Sequence, residues 1–207
     1  MALHAPLFQS LVEGFDETQR HVALDLGAAS TELLGWLGRS RCRADIADLA
    51  FFGGVERLNA AEPGPELEEV AESLLPDLRP DDPIDLVFCW DLPNYLTLEA
   101  LSALMRAIGQ RARPRALVHA LIFYAGRDMP EHPGRFVPTE DGELMDLSMP
   151  CEQIAAPRYS PRSWARACAR SRSIVRACSA TACRSSCSSS GRNGASIPRI
   201  SCRRRVS

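Results

Sequence analysis

A chain of 207 residues has room for one α/β domain with a full core and too little for two ordinary domains. Hydrophobic residues make up 45% of the chain, but no apolar run reaches the roughly 18 residues of a membrane span. The first residues also lack the pattern of a secretory signal. We therefore expect a cytoplasmic protein without membrane association. The net charge of −2 conceals a division, because all 26 acidic residues lie in 1–157 with 12 Arg, whereas 158–207 hold 12 Arg and no acid.

The first part of the chain predicts a strand, a helix and a second strand in succession. In chain order the predicted elements are an amphipathic helix over 6–19, a strand over 21–26, a helix over 30–38 and a strand over 42–48. Ser30 or Thr31 is placed to cap the second helix, and Gly38 to end it. This pattern predicts a βαβ unit with parallel strands.

The middle of the chain continues the alternation of strands and helices. The predicted elements are a helix over 65–76, a strand over 84–90, a helix over 98–110 capped by Thr97 and closed by Pro114, and a strand over 116–123. No third strand is predicted between 49 and 83. The run 84–90 is nearly all apolar, as expected of a strand covered on both faces. We therefore predict an α/β fold with a Rossmann-like, doubly wound, mostly parallel sheet whose central strands are 20–26, 84–90 and 116–123.

Acidic and aromatic residues lie at the ends of three predicted strands, at Asp25, Asp48 and the pair Trp90 and Asp91. In doubly wound sheets, ligands bind beyond the carboxyl ends of the strands, where the strand order reverses. The amides of 27–29 begin a helix and can approach a ligand, and a carboxylate after the second strand can accept hydrogen bonds from ribose hydroxyls. Asp25 can hold the turn or bind an amino group of the ligand.

The segments ALDLGAAST, ADIADL, IDLVFCWDLPNYL and ALVHALIF together resemble the class I S-adenosylmethionine-dependent methyltransferases, over about residues 7 to 125. The chain departs from the family at Ala29 and Thr31, where further glycines are usual. The resemblance implies S-adenosylmethionine as cofactor, a small molecule as methyl acceptor, and a final antiparallel strand pair beyond residue 123. It implies that Tyr95 lines the substrate pocket and that the cofactor is bound by Asp25, Gly27, Ala28, Ala29, Asp48, Trp90 and Asp91.

Each of these residues also has a structural interpretation. Asp25 can cap a turn, Asp48 can cap a helix before LAFF, and Trp90 and Tyr95 can be core aromatics. His119, in the middle of a predicted strand, is expected to be a core histidine with its hydrogen bonds satisfied. No residue identifies itself as a catalytic base, and the family often needs none, because positioning the acceptor in line with the activated methyl supplies much of the rate.

Other functions fit the sequence less well. A nicotinamide-dependent oxidoreductase requires G-x-G-x-x-G after the first strand, and GAASTE has one glycine. A P-loop requires Lys, which the chain lacks. Cysteines and histidines have no zinc-ligand spacing, so no metal is expected. The alternative outside enzymes is a methyltransferase-like fold that binds no cofactor and serves as an interaction module.

The composition divides the chain into a methyltransferase-like domain over 1–158 and an Arg/Ser/Cys-rich tail over 159–207. The tail lacks the large apolar residues that the final strands need. One hypothesis is a disordered arm that binds nucleic acid through its charge. The hypothesis we favour is a slip of the reading frame near residue 162, because GC-rich DNA read out of frame gives Arg, Ala, Ser and Cys. The domain would then lack its last strands.

Overall fold

A computed structural model describes residues 2, 3, 5, 8, 11, 18–77, 81–123, 127–139, 143–156, 163, 166, 167 and 174–176. The strands are β1 (Ala2–Leu3), β2 (His21–Asp25), β3 (Cys42–Ile46), β4 (Ile84–Trp90), β5 (Ala112–Ala120), β6 (Asp128–Pro130), β7 (Phe136–Pro138), β8 (Leu144–Asp146), β9 (Gln153–Ala155) and β10 (Ile174–Arg176). The helices are α1 (Thr31–Gly38), α2 (Gly54–Ala60), α3 (Pro65–Ser73) and α4 (Leu98–Arg111), with a 3₁₀ turn over Leu92–Tyr95. None of the described helices is both long and apolar enough to cross a bilayer.

The central sheet is parallel throughout and has the strand order β10-β5-β4-β2-β3. The α/β class predicted from the alternation of strands and helices is confirmed. The apolar strand β4 has the predicted bounds and lies inside the sheet, with β5 on one side and β2 on the other. At the edge, β3 has five half-buried residues, which agrees with its mixed polar and apolar composition.

Helices cover both faces of this sheet because successive strand residues point to opposite sides. On one face, Leu24 and Val87 pack in a core with residues of α2, α3 and α4. On the other, Ala23 and Phe88 pack with α1 and with Phe8. Of the predicted helix over 6–19, only positions 8, 11, 18 and 19 are described, so the helix as a whole lies outside the described residues.

Two predicted caps are present in the helices that follow strands. The Ser30 hydroxyl accepts a hydrogen bond from the amide of Leu33 at 3.0 Å, and that of Thr97 accepts from Ala100 at 3.1 Å. Each satisfies an amide that has no partner within its helix. The capping residues therefore help to specify the turn that follows β2 and the turn that precedes α4.

Helix α2 was not predicted, because no element was assigned between the strand that ends at 48 and the helix that begins at 65. Gly53 has a φ of +65°, a left-handed conformation that glycine adopts without strain. A side chain on Gly54 would place its Cβ 2.9 Å from the carbonyl oxygen of Leu49. The two glycines therefore let the chain turn tightly into a helix.

Strand β5 begins earlier than predicted and includes Pro114. The register of β4 with β5 shifts between the pairs Ile84–Ala112 and Leu86–Leu117, which is a bulge. Pro114 lies within this bulge, where a missing amide costs no ladder hydrogen bond. Helix α4 thus ends at Arg111, three residues before Pro114, and the strand continues through the proline.

The final antiparallel strand pair is not found among the described residues. The edge of β5 instead carries β10, which is parallel to it. Antiparallel pairing occurs in two small sheets, β1-β8-β7 and β6-β9. Most of the predicted tail over 159–207 lies outside the described residues, so the tail stays a prediction.

Candidate functional site

The strand order reverses at β2, whose neighbours are β3 on one side and β4 on the other. The chain passes from β2 to β3, then crosses to the opposite side of β2 to form β4 and β5. A cavity of about 610 Å³ lies beyond the carboxyl ends of these strands. Its lining includes residues that follow β2, β3 and β4, together with residues from β6, β9 and the turn after β6. This is the position at which doubly wound sheets bind ligands.

Three of the predicted site residues line this cavity, and five do not. Ala28, Asp48 and Tyr95 are in its wall. The other five predicted residues are not part of the lining; they are Asp25, Gly27, Ala29, Trp90 and Asp91. The structure thus separates a group of residues that face the cavity from a group behind or beside it.

Asp48 follows β3 and lies in the cavity wall. Its Oδ1 accepts a hydrogen bond from the amide of Phe51 at 3.3 Å, so the side chain also caps the turn after β3. The residue is half-buried and has a φ of +40°, which is uncommon for a residue other than glycine. The capping role and the cavity position coexist, because the hydrogen bond to the turn uses one oxygen of the carboxylate.

Asp25 is buried behind the cavity wall, at the end of β2. Its Oδ1 accepts from the amide of Gly27 at 2.9 Å and from the indole Nε1 of Trp90 at 2.7 Å. Its Oδ2 is buried and has no hydrogen-bond partner in the described part of the chain. Burial raises the pKa of Asp25 to about 6, the two hydrogen bonds lower it, and the charge of Asp48 adds to the increase.

Trp90 ends β4 in a left-handed conformation, with a φ of +49°. Its ring is stacked on Phe88 with centroids 5.2 Å apart, and on Phe136 at 6.1 Å. A Cβ on Gly27 would lie 2.6 Å from Trp90 Cδ1, so the turn after β2 needs glycine to make room for the indole. Trp90 is therefore core packing that holds the turn and the carboxylate of Asp25 in place.

Asp91 and Asn94 form a buried polar group after β4. Both carboxylate oxygens of Asp91 accept from the amide of Gly134, at 2.9 and 3.1 Å. Burial raises the pKa of Asp91 to about 7, and the charge of Asp146 adds to the increase. Asn94 donates to the carbonyls of Asp91 and Leu121 at 2.6 and 2.8 Å, and its side-chain oxygen accepts from an amide after β5 at 2.9 Å. These bonds fix the ends of β4 and β5 relative to each other.

Tyr95 connects the 3₁₀ turn to the segment that closes one side of the cavity. Its hydroxyl lies 2.9 Å from the carbonyl oxygen of Pro130 and 2.8 Å from that of His132. Asn59 of α2 donates to the Tyr95 carbonyl at 2.7 Å and accepts from the Thr97 amide at 2.9 Å. The residues over 130–134 are consequently anchored to the sheet end at both Tyr95 and Asp91.

The ionisable lining of the cavity is mainly acidic. It consists of Asp48, Glu56, Glu131 and His132, and no Arg is among the described lining residues. His132 Nε2 lies 3.7 Å from Glu131 Oε2, which is too long for a hydrogen bond. Phe51, also in the wall, is 78% exposed.

Sequence analysis missed several residues of this site. Asn59 and Glu56 belong to a helix that was not predicted, and Glu131 and His132 belong to a short strand and turn without periodicity. Asn94 had a weak signal, as an amide in the segment directly after the most apolar strand. None of these positions could have been assigned to one cavity without the strand order.

His119 is a core residue, as predicted, but its hydrogen bonds are not satisfied. Both ring nitrogens are buried, and neither has a partner in the part of the chain that the structure describes. The ring meets Phe8 edge-on at 5.2 Å and Trp90 at 5.7 Å. Burial lowers the pKa of His119 to about 4, so the imidazole is neutral at pH 7. In the described ranges, no three His, Cys, Asp or Glu residues lie close enough to hold a metal ion.

Comparisons with known proteins found no relative. No protein-family model, no curated protein and no solved structure matches the chain. The resemblance to class I methyltransferases therefore stays a prediction from the sequence motifs.

Proposed function

We propose that the chain binds S-adenosylmethionine in the cavity beyond β2, β3 and β4 and transfers its methyl group to a small molecule. The observation that carries the proposal is Asp48, a carboxylate directly after the second strand of the sheet and in the cavity wall. In Rossmann-like folds, an acid at this place accepts hydrogen bonds from ribose hydroxyls. Ala28, in the turn after the first strand, lies in the same wall.

The residues present fit such a cofactor. The cavity volume of about 610 Å³ falls within the range of about 300–1,000 Å³ usual for small-molecule sites. Ala29 and Thr31 replace glycines of the family, but both are exposed and neither is in the lining, so their side chains take no room from the cavity. The acidic lining attracts the positively charged sulfur and the amino group of this cofactor and opposes its carboxylate, so the carboxylate would lie away from Asp48, Glu56 and Glu131.

When bound, this cofactor would supply a methyl carbon on a positively charged sulfur, in a form that can be transferred to a lone pair of the acceptor. The chain would hold the acceptor in line, which supplies much of the rate of such a transfer. Tyr95 is placed to help in this, because its hydroxyl fixes the residues over 130–132 at the cavity.

A calorimetric titration with the cofactor product, S-adenosylhomocysteine, tests the proposal. We expect Asp48→Ala to weaken binding about ten- to a hundred-fold, because two hydrogen bonds to a charged acceptor are lost, at roughly 1.5–3 kcal/mol in total. Asp77→Ala is the matched control, since Asp77 is exposed and outside the cavity lining.

The interaction-module alternative has one observation in its favour. The Gly27 amide is already bonded to Asp25, and Trp90 covers its α-carbon, so this part of the turn does not face the cavity. If the folded wild-type chain gives neither heat nor a thermal shift at millimolar S-adenosylhomocysteine, the proposal fails and the alternative is favoured.

A further inference from the structure

The turn after β6 brings an acid and an imidazole into the cavity wall beside each other. Glu131 and His132 both line the cavity, and the carboxylate lies 3.7 Å from His132 Nε2. The Tyr95 hydroxyl lies 2.8 Å from the backbone carbonyl oxygen of His132, which ties this turn to the sheet end, and the His132 side chain itself is 75% exposed and so open to a ligand. With its Nε2 on the side of the carboxylate, a neutral imidazole has Nδ1 to accept a proton, which is the reverse of the Ser-His-Asp arrangement, where Nδ1 faces the carboxylate.

The charge of the lining limits the ligands that this side of the cavity can take. Asp48, Glu56 and Glu131 oppose a carboxylate or phosphate and attract a cation. The same wall has apolar and aromatic surface from Phe51, Tyr95 and Met129, which favours a ligand with a hydrophobic body. A small amine with an apolar or aromatic group satisfies both conditions.

We propose that the methyl acceptor is such an amine and that His132, which lies beside Glu131, takes a proton from it. This inference rests on the proposed function. An alkylammonium has no lone pair and cannot accept a methyl group. Transfer of one proton from R–NH₃⁺ to His132 Nδ1 leaves R–NH₂, whose lone pair forms the new bond to carbon. The nitrogen becomes R–NH₂⁺–CH₃, and the bond between carbon and the sulfonium sulfur is the one that breaks.

Benzylamine is a suitable probe, with benzyl alcohol and benzoate as its neutral and anionic counterparts. Binding of each to the full chain saturated with S-adenosylhomocysteine is measured by calorimetry. Formation of N-methylbenzylamine from S-adenosylmethionine is measured by mass spectrometry. The variants are His132→Gln, Glu131→Gln and Glu131→Asp, with Glu62→Gln as a control, because Glu62 is exposed and outside the lining.

We expect benzylamine to bind at least about ten-fold more tightly than the alcohol or benzoate, a difference of about 1.4 kcal/mol. His132→Gln should reduce methyl transfer about 100-fold or more while changing benzylamine binding little. Glu131→Gln should weaken benzylamine binding about two- to five-fold and slow transfer, Glu131→Asp should restore part of both, and Glu62→Gln should change neither.

Three results would overturn the inference: equal binding of the alcohol or benzoate, binding of benzylamine without N-methylation, or undiminished transfer by His132→Gln. Failure of the proposed function has a different signature, because the wild-type chain would then not bind S-adenosylhomocysteine. In that case a direct titration of the chain with benzylamine, benzyl alcohol and benzoate still measures whether the cavity prefers the amine. Equal binding of the three compounds would contradict that preference.

Discussion

Asp91 has a buried carboxyl group whose pKa is raised from 3.8 to about 7 by burial. The folded chain therefore holds this proton to higher pH than the unfolded chain, and the free energy of unfolding falls as pH rises from about 4 to about 7. Asp91→Asn stays neutral and keeps an oxygen that can accept from Gly134. We expect this variant to be more stable than wild type at pH 8, by at most about 4 kcal/mol. Urea denaturation at several pH values tests this, and an advantage that does not grow with pH would contradict it.

His119 gives the opposite dependence on pH. Its pKa is lowered from 6.5 to about 4, so its contribution to stability is present above pH 6.5 and is lost as pH falls toward 4. His119→Leu cannot titrate, so it should lose less stability than wild type between pH 7 and 4.5, by about 3 kcal/mol at most. The measurement is denaturant unfolding at the two pH values. Equal losses in the two proteins would show that the imidazole is not neutral and buried in solution.

At the scale of elements, the turn between β2 and α1 depends on the fit of Trp90 against Gly27. Gly27→Ala would place a Cβ 2.6 Å from the indole, so the ring must move and its hydrogen bond to Asp25 is broken. We expect a loss of about 1–3 kcal/mol and a change in tryptophan emission. Gly35→Ala is the matched control, because its added Cβ meets nothing within 4 Å outside its own stretch of helix backbone, and alanine favours the helix. Equal stability of the two variants would contradict the packing.

The elements that could be predicted from the sequence are those in which buried residues follow a regular pattern along the chain. The strand β4 was predicted to the residue because both of its faces are covered, which makes its sequence apolar except at Asp85. In contrast, α2 begins at a left-handed Gly53, and Pro114 lies in a bulge of β5. Glycine and proline usually mark the end of a helix or a strand. At these two positions the packing of the folded chain overrides that local preference.

The candidate site was predictable only in part, for a related reason. Asp48 was found because it directly follows a strand and parallel strands end at the same edge of the sheet, whereas Tyr95 was assigned from the resemblance to methyltransferases. Glu131 and His132 enter the cavity through a hydrogen bond from the Tyr95 hydroxyl to the backbone. A contact between a side chain and a distant carbonyl leaves no pattern in the sequence.

At the scale of the whole molecule, the two hypotheses for the composition of 160–207 can be tested against each other. We expect sequencing of the gene to show a change of reading frame near codon 162, because the Arg and Ser content changes abruptly there. An intact frame, together with nucleic-acid binding that weakens with salt and is lost on deletion of 160–207, would favour the basic arm.

The strand order also has a consequence for synthesis on the ribosome. The strands β2 and β3 are neighbours in both sequence and sheet, so they can pair as soon as residue 46 has left the exit tunnel. The other edge of β2 waits for β4, which ends only at residue 90, and until then it offers unpaired backbone groups to other nascent chains. Slow translation between these two strands would prolong the interval in which the emerging protein is most prone to aggregate.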